Sequence, residues 1–210
     1  MIKKNWKTLL IASIVMLLPV LVGVILWDQL PEQMPSHWDA AGEIDGWTSK
    51  PLAVFGLPAL MLAIYWVCVI GTSADPKKDN HSGKVVQLIL WIVPILSVVM
   101  HTATYAAALG KAVRMEMIMP IILGLIFTII GNYLPKCRQN YTIGIKIPWT
   151  LNSEENWNKT HRFAGRLWVV CGLGIMVTGF LGGFWYAMTL TLLMVLAPVL
   201  YSYLLHRRGI

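Results

Sequence analysis

Six long apolar runs alternate with polar connections along the 210 residues of the chain. Each run holds about 18 to 25 mostly apolar residues, the length that a helix needs to cross roughly 30 Å of hydrocarbon. The pattern therefore predicts membrane-spanning helices near residues 8–27, 52–72, 85–109, 117–134, 166–183 and 187–205. Because the connections are too short to build a separate soluble core, we expect an all-α membrane protein. It would be one membrane domain, 1–210, built as a bundle of six transmembrane helices.

The distribution of Lys and Arg sets the predicted orientation. Of the 17 basic residues, 14 lie in the two termini, the second connection and the central polar stretch, whereas the other side has only Lys50, Lys111 and Arg114. Basic residues accumulate on the cytoplasmic side of membrane proteins, so both termini and the inner loop 135–165 are predicted to be cytoplasmic. The net charge of +7 then indicates attraction to anionic inner-leaflet lipid rather than to nucleic acid.

His101 is the one ionisable residue well inside a predicted span, and it lies beside Thr102 and Thr104. An intramembrane ionisable group can mark a functional site. A single histidine with no intramembrane Asp, Glu, Lys or Arg makes a poor proton relay, however. A neutral imidazole bonded to a helix carbonyl or hydroxyl is therefore the favoured interpretation.

The first connection, 28–51, faces outside and contains five carboxylates and one histidine, His37. Prolines stiffen it and the Asp45-Gly46 pair favours a turn, so we expect a structured outer loop. Imidazole and carboxylate are common metal ligands, which makes a metal or hydrolytic site on His37, Asp39 and Asp45 chemically conceivable. One histidine in a His-x-Asp spacing lacks the specificity of a metal motif, and we predict a turn or recognition role without metal.

The longest polar interval runs from 131 to 166 and divides into three parts, of which the first ends the fourth span and places Lys136 and Arg138 at the level of the lipid phosphates. Apolar and polar residues alternate over 141–147, which predicts a short amphipathic extended segment. A short interfacial helix is then predicted to begin at Asn152 or Ser153 and to lead into the fifth span. Its charges would either be solvated or form a docking platform for a cytoplasmic partner or an anionic head group. One face of this helix is shared by Trp157, His161 and Ala164.

Two stretches of the chain resemble the SdpI family of bacterial membrane proteins. The first consists of Leu30-Pro31, Pro35-x-His37-Trp38, Gly42 and Asp45-Gly46. The second consists of Gly131-Asn132-Tyr133-Leu134-Pro135-Lys136, Asn140, Gly144-Ile145-Lys146, Pro148-Trp149-Thr150-Leu151, Trp157 and Thr160-His161-Arg162. The resemblance implies an N-terminal family domain within 1–72 and the family's signature region within 110–205.

The resemblance also implies a function: a multi-pass immunity protein of the bacterial plasma membrane that protects the cell against a secreted peptide toxin. Such a protein can also be a receptor that recruits a cytoplasmic winged-helix repressor to the membrane. The implied partners are therefore the toxin, that repressor and membrane lipids, without direct nucleic-acid binding. The expected partner-binding residues are His37, Trp38, Asp45, Asn132, Lys136, Arg138, Asn140, Trp149, His161 and Arg162.

Two other classes of protein compete with this interpretation. A transporter or flippase of an amphiphilic molecule could use His101 and the prolines of the spans to line a path. A membrane enzyme could use the outer-loop carboxylates or His161. The chain contains no nucleophile elbow, Cys-His pair, P-loop or dinucleotide fingerprint, so we predict no catalytic residue and no cofactor.

Overall fold

The computed structural model describes residues 1–210 and contains seven α-helices. They are α1 (Trp6–Ile25), α2 (Leu57–Ser73, preceded by a π-helical turn at Leu52–Gly56), α3 (Gly83–Ala108), α4 (Met115–Tyr133), α5 (Pro148–Asn152), α6 (Glu154–Leu181) and α7 (Phe184–Arg207). All except the five-residue α5 are long and apolar enough to cross a membrane. The prediction of six membrane-spanning helices is therefore confirmed.

The chain forms two compact units. The first comprises residues 1–73 and 87–115, which are α1, the outer loop, α2 and most of α3. The second comprises residues 74–86 and 116–210, which are the connection between α2 and α3 together with α4 to α7. The single membrane domain expected from the sequence stays a prediction.

The outer loop of the first unit folds into a β-hairpin, which the expectation of an all-α chain did not include. Strands β1 (Gln33–Trp38) and β2 (Ile44–Ser49) pair antiparallel, with irregularities in register on either side of His37. The turn is closed by the Asp39 carboxylate, which accepts hydrogen bonds from the amides of Ala41 and Glu43. Short side-chain caps of this kind replace the ladder bonds that end at a turn.

Buried side chains fix the hairpin to the helices of its own unit. Leu30 and Met34 pack with Val54 of the π-helical turn and with Tyr105 of α3. The Tyr105 hydroxyl donates a hydrogen bond of 2.9 Å to the carbonyl of Pro19. The hairpin is therefore held against the helices of its unit by packing contacts.

Glycines bring α4 and α6 of the second unit into backbone contact. A Cβ built on Gly131 would lie 2.9 Å from the carbonyl oxygen of Gly165, and one built on Gly172 would lie 2.7 Å from that of Gly124. The small residues on α6 recur every seven residues, at Gly165, Gly172 and Gly179, which keeps them on one helix face. Because larger side chains cannot fit there, the glycines set the distance between the two helices.

The inner loop differs from its prediction in two respects, the form of residues 141–147 and the surroundings of the helix that follows. Residues 141–144 form bends and residues 145–147 are not part of a strand, because side chains instead of a partner strand bind backbone groups of this segment. The helix predicted to begin at Asn152 or Ser153 and to lead into the fifth span is confirmed: α6 begins at Glu154, is capped by the Ser153 hydroxyl and continues without a break to Leu181. The predicted shared face is buried in the protein rather than lying on the membrane surface.

Candidate functional site

The candidate site is the inner segment, residues 135–153, together with the start of α6 and the 74–82 connection that contacts it. Asn140 organises its first turn. The Asn140 side-chain amide donates to the carbonyls of Arg138 and Ile143, at 2.8 and 2.9 Å. Its side-chain oxygen accepts from the backbone amides of Thr142 and Ile143. Asn140 is buried, so it shapes the segment and is not itself a contact surface.

His161 holds the middle of the inner segment. Its Nε2 accepts a hydrogen bond of 3.0 Å from the amide of Ile145, and its Nδ1 donates one of 2.8 Å to the carbonyl of Trp157. This pair of partners requires the neutral tautomer with the proton on Nδ1. The imidazole is stacked on the Trp157 ring at 4.0 Å between centroids and is fully buried. Both nitrogens are thus occupied, which argues against a general-base role for His161.

Gly144 covers this stacked pair. Its φ of +119° lies in the region that favours glycine, and a Cβ placed on it would be 2.5 Å from Nε2 of His161. Both features require a residue without a side chain at this position. The three motif residues Gly144, Trp157 and His161 therefore form one packing unit.

Asp75 attaches the 74–82 connection to the inner segment. Its buried carboxylate accepts hydrogen bonds from the Thr142 hydroxyl at 2.7 Å and from the Tyr141 amide at 2.9 Å. It also accepts from the amide of Lys77, and Nε2 of His81 lies 3.2 Å away. Burial on its own would raise the pKa of this carboxyl group. The hydrogen bonds, with that from Thr142 first, outweigh burial and hold the pKa below its ordinary value.

Gln139 and Thr150 close the inner segment into a compact loop. The Gln139 side-chain amide donates to the carbonyls of Thr150 and Leu151, at 2.9 and 3.0 Å. The Gln139 side-chain oxygen accepts from the Lys77 ammonium at 2.6 Å. The Thr150 hydroxyl donates to the carbonyl of Ile145 at 2.7 Å. These bonds satisfy backbone groups that would otherwise need a strand or water.

A second buried polar group joins α6 to α7. The Asn156 side-chain amide donates to the carbonyl of Ser202 at 3.0 Å, and its oxygen accepts from the hydroxyls of Ser202 and Thr160, at 2.5 and 3.1 Å. All three residues are fully buried. The start of α6 is therefore locked on one side by the inner segment and on the other by α7.

The remaining inner residues of the sequence prediction lie at or near the surface. Asn132, Lys136, Arg138 and Arg162 are exposed, and the Lys136 ammonium lies 4.6 Å from the centre of the Tyr133 ring. Trp149 is half-buried and packs against two aromatic rings of α7, those of Tyr203 and His206. The structure thus divides the predicted set into buried residues that build the segment and exposed residues that are free to contact a partner.

The predicted outer residues meet on the hairpin. His37 and Asp45 are both exposed and form a close contact of 2.5 Å between Nδ1 and a carboxylate oxygen, while Trp38 is half-buried. A Cβ on Gly46 would lie 2.7 Å from Cβ of His37, so glycine is needed where the strands approach. His101, by contrast, lies in α3, where its Nδ1 donates a hydrogen bond of 2.7 Å to the Ser97 carbonyl, as the favoured interpretation expected. Its Nε2 is buried without a partner.

Two ionisable residues with structural roles escaped the sequence analysis. Lys50 was counted only as an outer charge, yet it is buried, donates to the carbonyl of Leu30 at 2.9 Å and pairs with Glu32 at 2.8 Å. Asp75 was not singled out at all. An Asp-Pro step at a predicted helix end was the available signal, because such a step favours a turn closed by the carboxylate.

The fold defines a multi-pass membrane protein, with six helices long and apolar enough to cross a membrane. The SdpI/YfhL protein family matches residues 136–202, and a domain of unknown function, DUF1648, matches residues 14–62. The immunity protein SdpI of Bacillus subtilis strain 168 is 31% identical over 202 residues, which cover 94% of this chain and 92% of that protein. No solved structure matches the chain. The chain belongs to the SdpI family.

Proposed function

We propose that this chain is an immunity protein that protects a bacterial cell against a secreted peptide toxin. The observation that carries the proposal is the similarity to the Bacillus subtilis immunity protein, which extends over 94% of the chain. That alignment includes both the outer hairpin and the inner segment. Membership of an immunity-protein family favours a role in binding rather than in catalysis.

The outer hairpin is the surface that we assign to the toxin. His37, Asp45 and Trp47 are exposed there, and the buried Leu30 and Met34 hold the hairpin in place. A surface that is already ordered loses little conformational entropy on binding, which favours recognition of a flexible peptide. An exposed tryptophan on such a surface is a usual anchor for a binding partner.

We further propose that the inner segment recruits a cytoplasmic repressor when toxin is bound outside. Asn132, Lys136, Arg138 and the exposed edge of Trp149 are the contact residues in this proposal, because Asn140 and His161 are buried. The buried bonds hold the backbone that carries these basic side chains, so the charges are presented from fixed positions to an acidic surface. A shift between two packings of the inner segment would then change this surface.

A protection assay tests the proposal. The gene is deleted from the bacterium that carries it, and cells are exposed to conditioned medium of the parent strain. We expect the deletion strain to lose viability and the wild-type chain to restore it. A chain with His37→Ala and Asp45→Ala should restore less, whereas Glu43→Ala, an exposed change on the same hairpin, should restore fully.

Two results would contradict the proposal. The first is a deletion strain that survives conditioned medium as well as its parent. The second is chemical conversion of the toxin by protected cells, which mass spectrometry of the recovered peptide would detect and which would indicate an enzyme. Recruitment is measured separately, by membrane fractionation of the repressor with wild-type chain and with Arg138→Ala.

A further inference from the structure

One face of α6 forms a continuous exposed stripe in which two arginines are followed by apolar residues. Arg162 and Arg166 are exposed at its cytoplasmic end, and Val170, Leu173 and Val177 are exposed below them. Steps of three and four residues place all five side chains on one side of the helix. The opposite side of α6 is buried against other elements of the same unit.

The two arginines have no acidic partner in the protein. The ion pair of this region joins Lys159 to Glu155 at 2.7 Å and leaves both guanidinium groups unpaired. Neither arginine takes part in the hydrogen-bond networks of the inner segment. Their charges therefore remain available to an anion outside the chain.

The position of Arg166 along α6 places it close to the hydrocarbon. The helix ends at Leu181, followed by Gly182 in the left-handed conformation. The 15 residues between Arg166 and Leu181 extend about 22 Å, which is shorter than the roughly 30 Å of a bilayer core. If Leu181 lies at the outer edge of the hydrocarbon, the Cα of Arg166 lies within its inner edge, where an unpaired charge is costly, and the extended side chain brings the guanidinium to the lipid phosphates and ester groups.

We infer that Arg162 and Arg166 bind the phosphate of an anionic glycerophospholipid of the inner leaflet, of the phosphatidylglycerol class. Arginine presents several donors in a planar fork that matches phosphate oxygens. The acyl chains of the same lipid then lie along Val170, Leu173 and Val177. This inference is independent of the immunity function.

A membrane lipid fits this stripe better than an acidic protein does. A soluble partner cannot reach the apolar residues directly below Arg166, because they face the hydrocarbon. A lipid molecule, by contrast, combines an anionic group and an apolar chain in the order that the helix presents. Basic positions between or beside spans on the cytoplasmic side are known to favour anionic head groups.

Lipid titration of the full chain tests the inference. The purified, delipidated protein in neutral detergent is titrated with short-chain phosphatidylglycerol, and bound lipid is counted by native mass spectrometry. Phosphatidylcholine with the same chains and inorganic phosphate are the comparison probes. We expect phosphatidylglycerol to bind most tightly and inorganic phosphate to show no measurable occupancy.

The variant Arg162→Gln/Arg166→Gln should weaken phosphatidylglycerol binding about tenfold, the effect of removing a charge-assisted bond. Arg208→Gln, which removes another exposed cytoplasmic charge, should leave it unchanged. If the double glutamine variant does not fold, Arg166→Lys keeps the charge but loses the fork, and weaker binding is again expected. The inference would be overturned if phosphatidylcholine or inorganic phosphate bound as tightly as phosphatidylglycerol. It would also be overturned if the variant bound phosphatidylglycerol as tightly as the wild type. Loss of partner recruitment with unchanged lipid binding would assign the arginines to a protein instead.

Discussion

Replacing Gly144 by alanine perturbs the inner segment at the point where it covers the stacked pair of Trp157 and His161. The backbone there has a φ of +119°, and the new Cβ would lie 2.5 Å from Nε2 of His161. Holding a residue with a side chain in this conformation costs about 1–2 kcal/mol. Displacing the imidazole also removes its hydrogen bond with Ile145, a further loss of about 1 kcal/mol. The sum is about 2–3 kcal/mol against the closed segment.

Hydrogen exchange of the full chain in nanodiscs measures this opening. A cost of about 2–3 kcal/mol should lower the protection of the Ile145 amide roughly 30- to 150-fold. The matched control is Gly182→Ala at the end of α6, which also has a positive φ of +70° but open space around it. This control should leave Ile145 protection unchanged. Equal protection of Ile145 in wild type and Gly144→Ala would refute the role assigned to the glycine.

Three further predictions concern other polar contacts. Hydrogen bonds keep the pKa of Asp75 below its ordinary value of about 3.9. The stability that its carboxylate gives to the folded inner segment should therefore persist from pH 7 to pH 5 and disappear only below about pH 4. Exchange protection of the inner segment, corrected for intrinsic rates, measures this, and a loss near pH 6 would contradict it. Asn156→Ala leaves buried hydroxyls without an acceptor and should lower stability by about 1–3 kcal/mol in detergent unfolding, whereas the exposed Asn158→Ala should change it little. Gly46→Ala places a new Cβ against the Cβ of His37 and should make the hairpin sensitive to protease on intact cells. Unchanged protease resistance would argue against close packing of the two strands at this position.

The membrane-spanning helices could be predicted from the sequence more fully than the roles of the candidate site residues. A membrane helix is visible in the hydropathy of a sequence because hydrocarbon excludes polar groups along the whole span. Five of the six spans were predicted to within about five residues at each end, whereas the helix of the fifth span begins at Glu154 rather than near residue 166. The start of α6 at Glu154 was predicted from the capping pattern, but the burial of one side of its first turns was not, since those turns carry several charged residues. That side is buried by the inner segment, which is a contact distant in sequence.

The candidate site was predicted as a set of motif positions without roles. Asn140 and His161 were expected to contact a partner, yet they are buried and bind the chain's own backbone. Asn and His have the same donors and acceptors in either role, so residue type alone does not distinguish them. Asp75 lies more than 60 residues from the amide and hydroxyl that it binds, at Tyr141 and Thr142, and no local pattern indicates that pairing.

The central claim, which is the proposed function, is that the outer hairpin recognises a secreted peptide and that the inner segment does not. A photo-crosslinking amino acid at Trp47 tests it most directly in intact cells exposed to the parent strain's conditioned medium. The account predicts a covalent peptide adduct at position 47 and none when the same group replaces Arg138. An adduct at Arg138 alone, or full protection with no adduct at position 47, would contradict it.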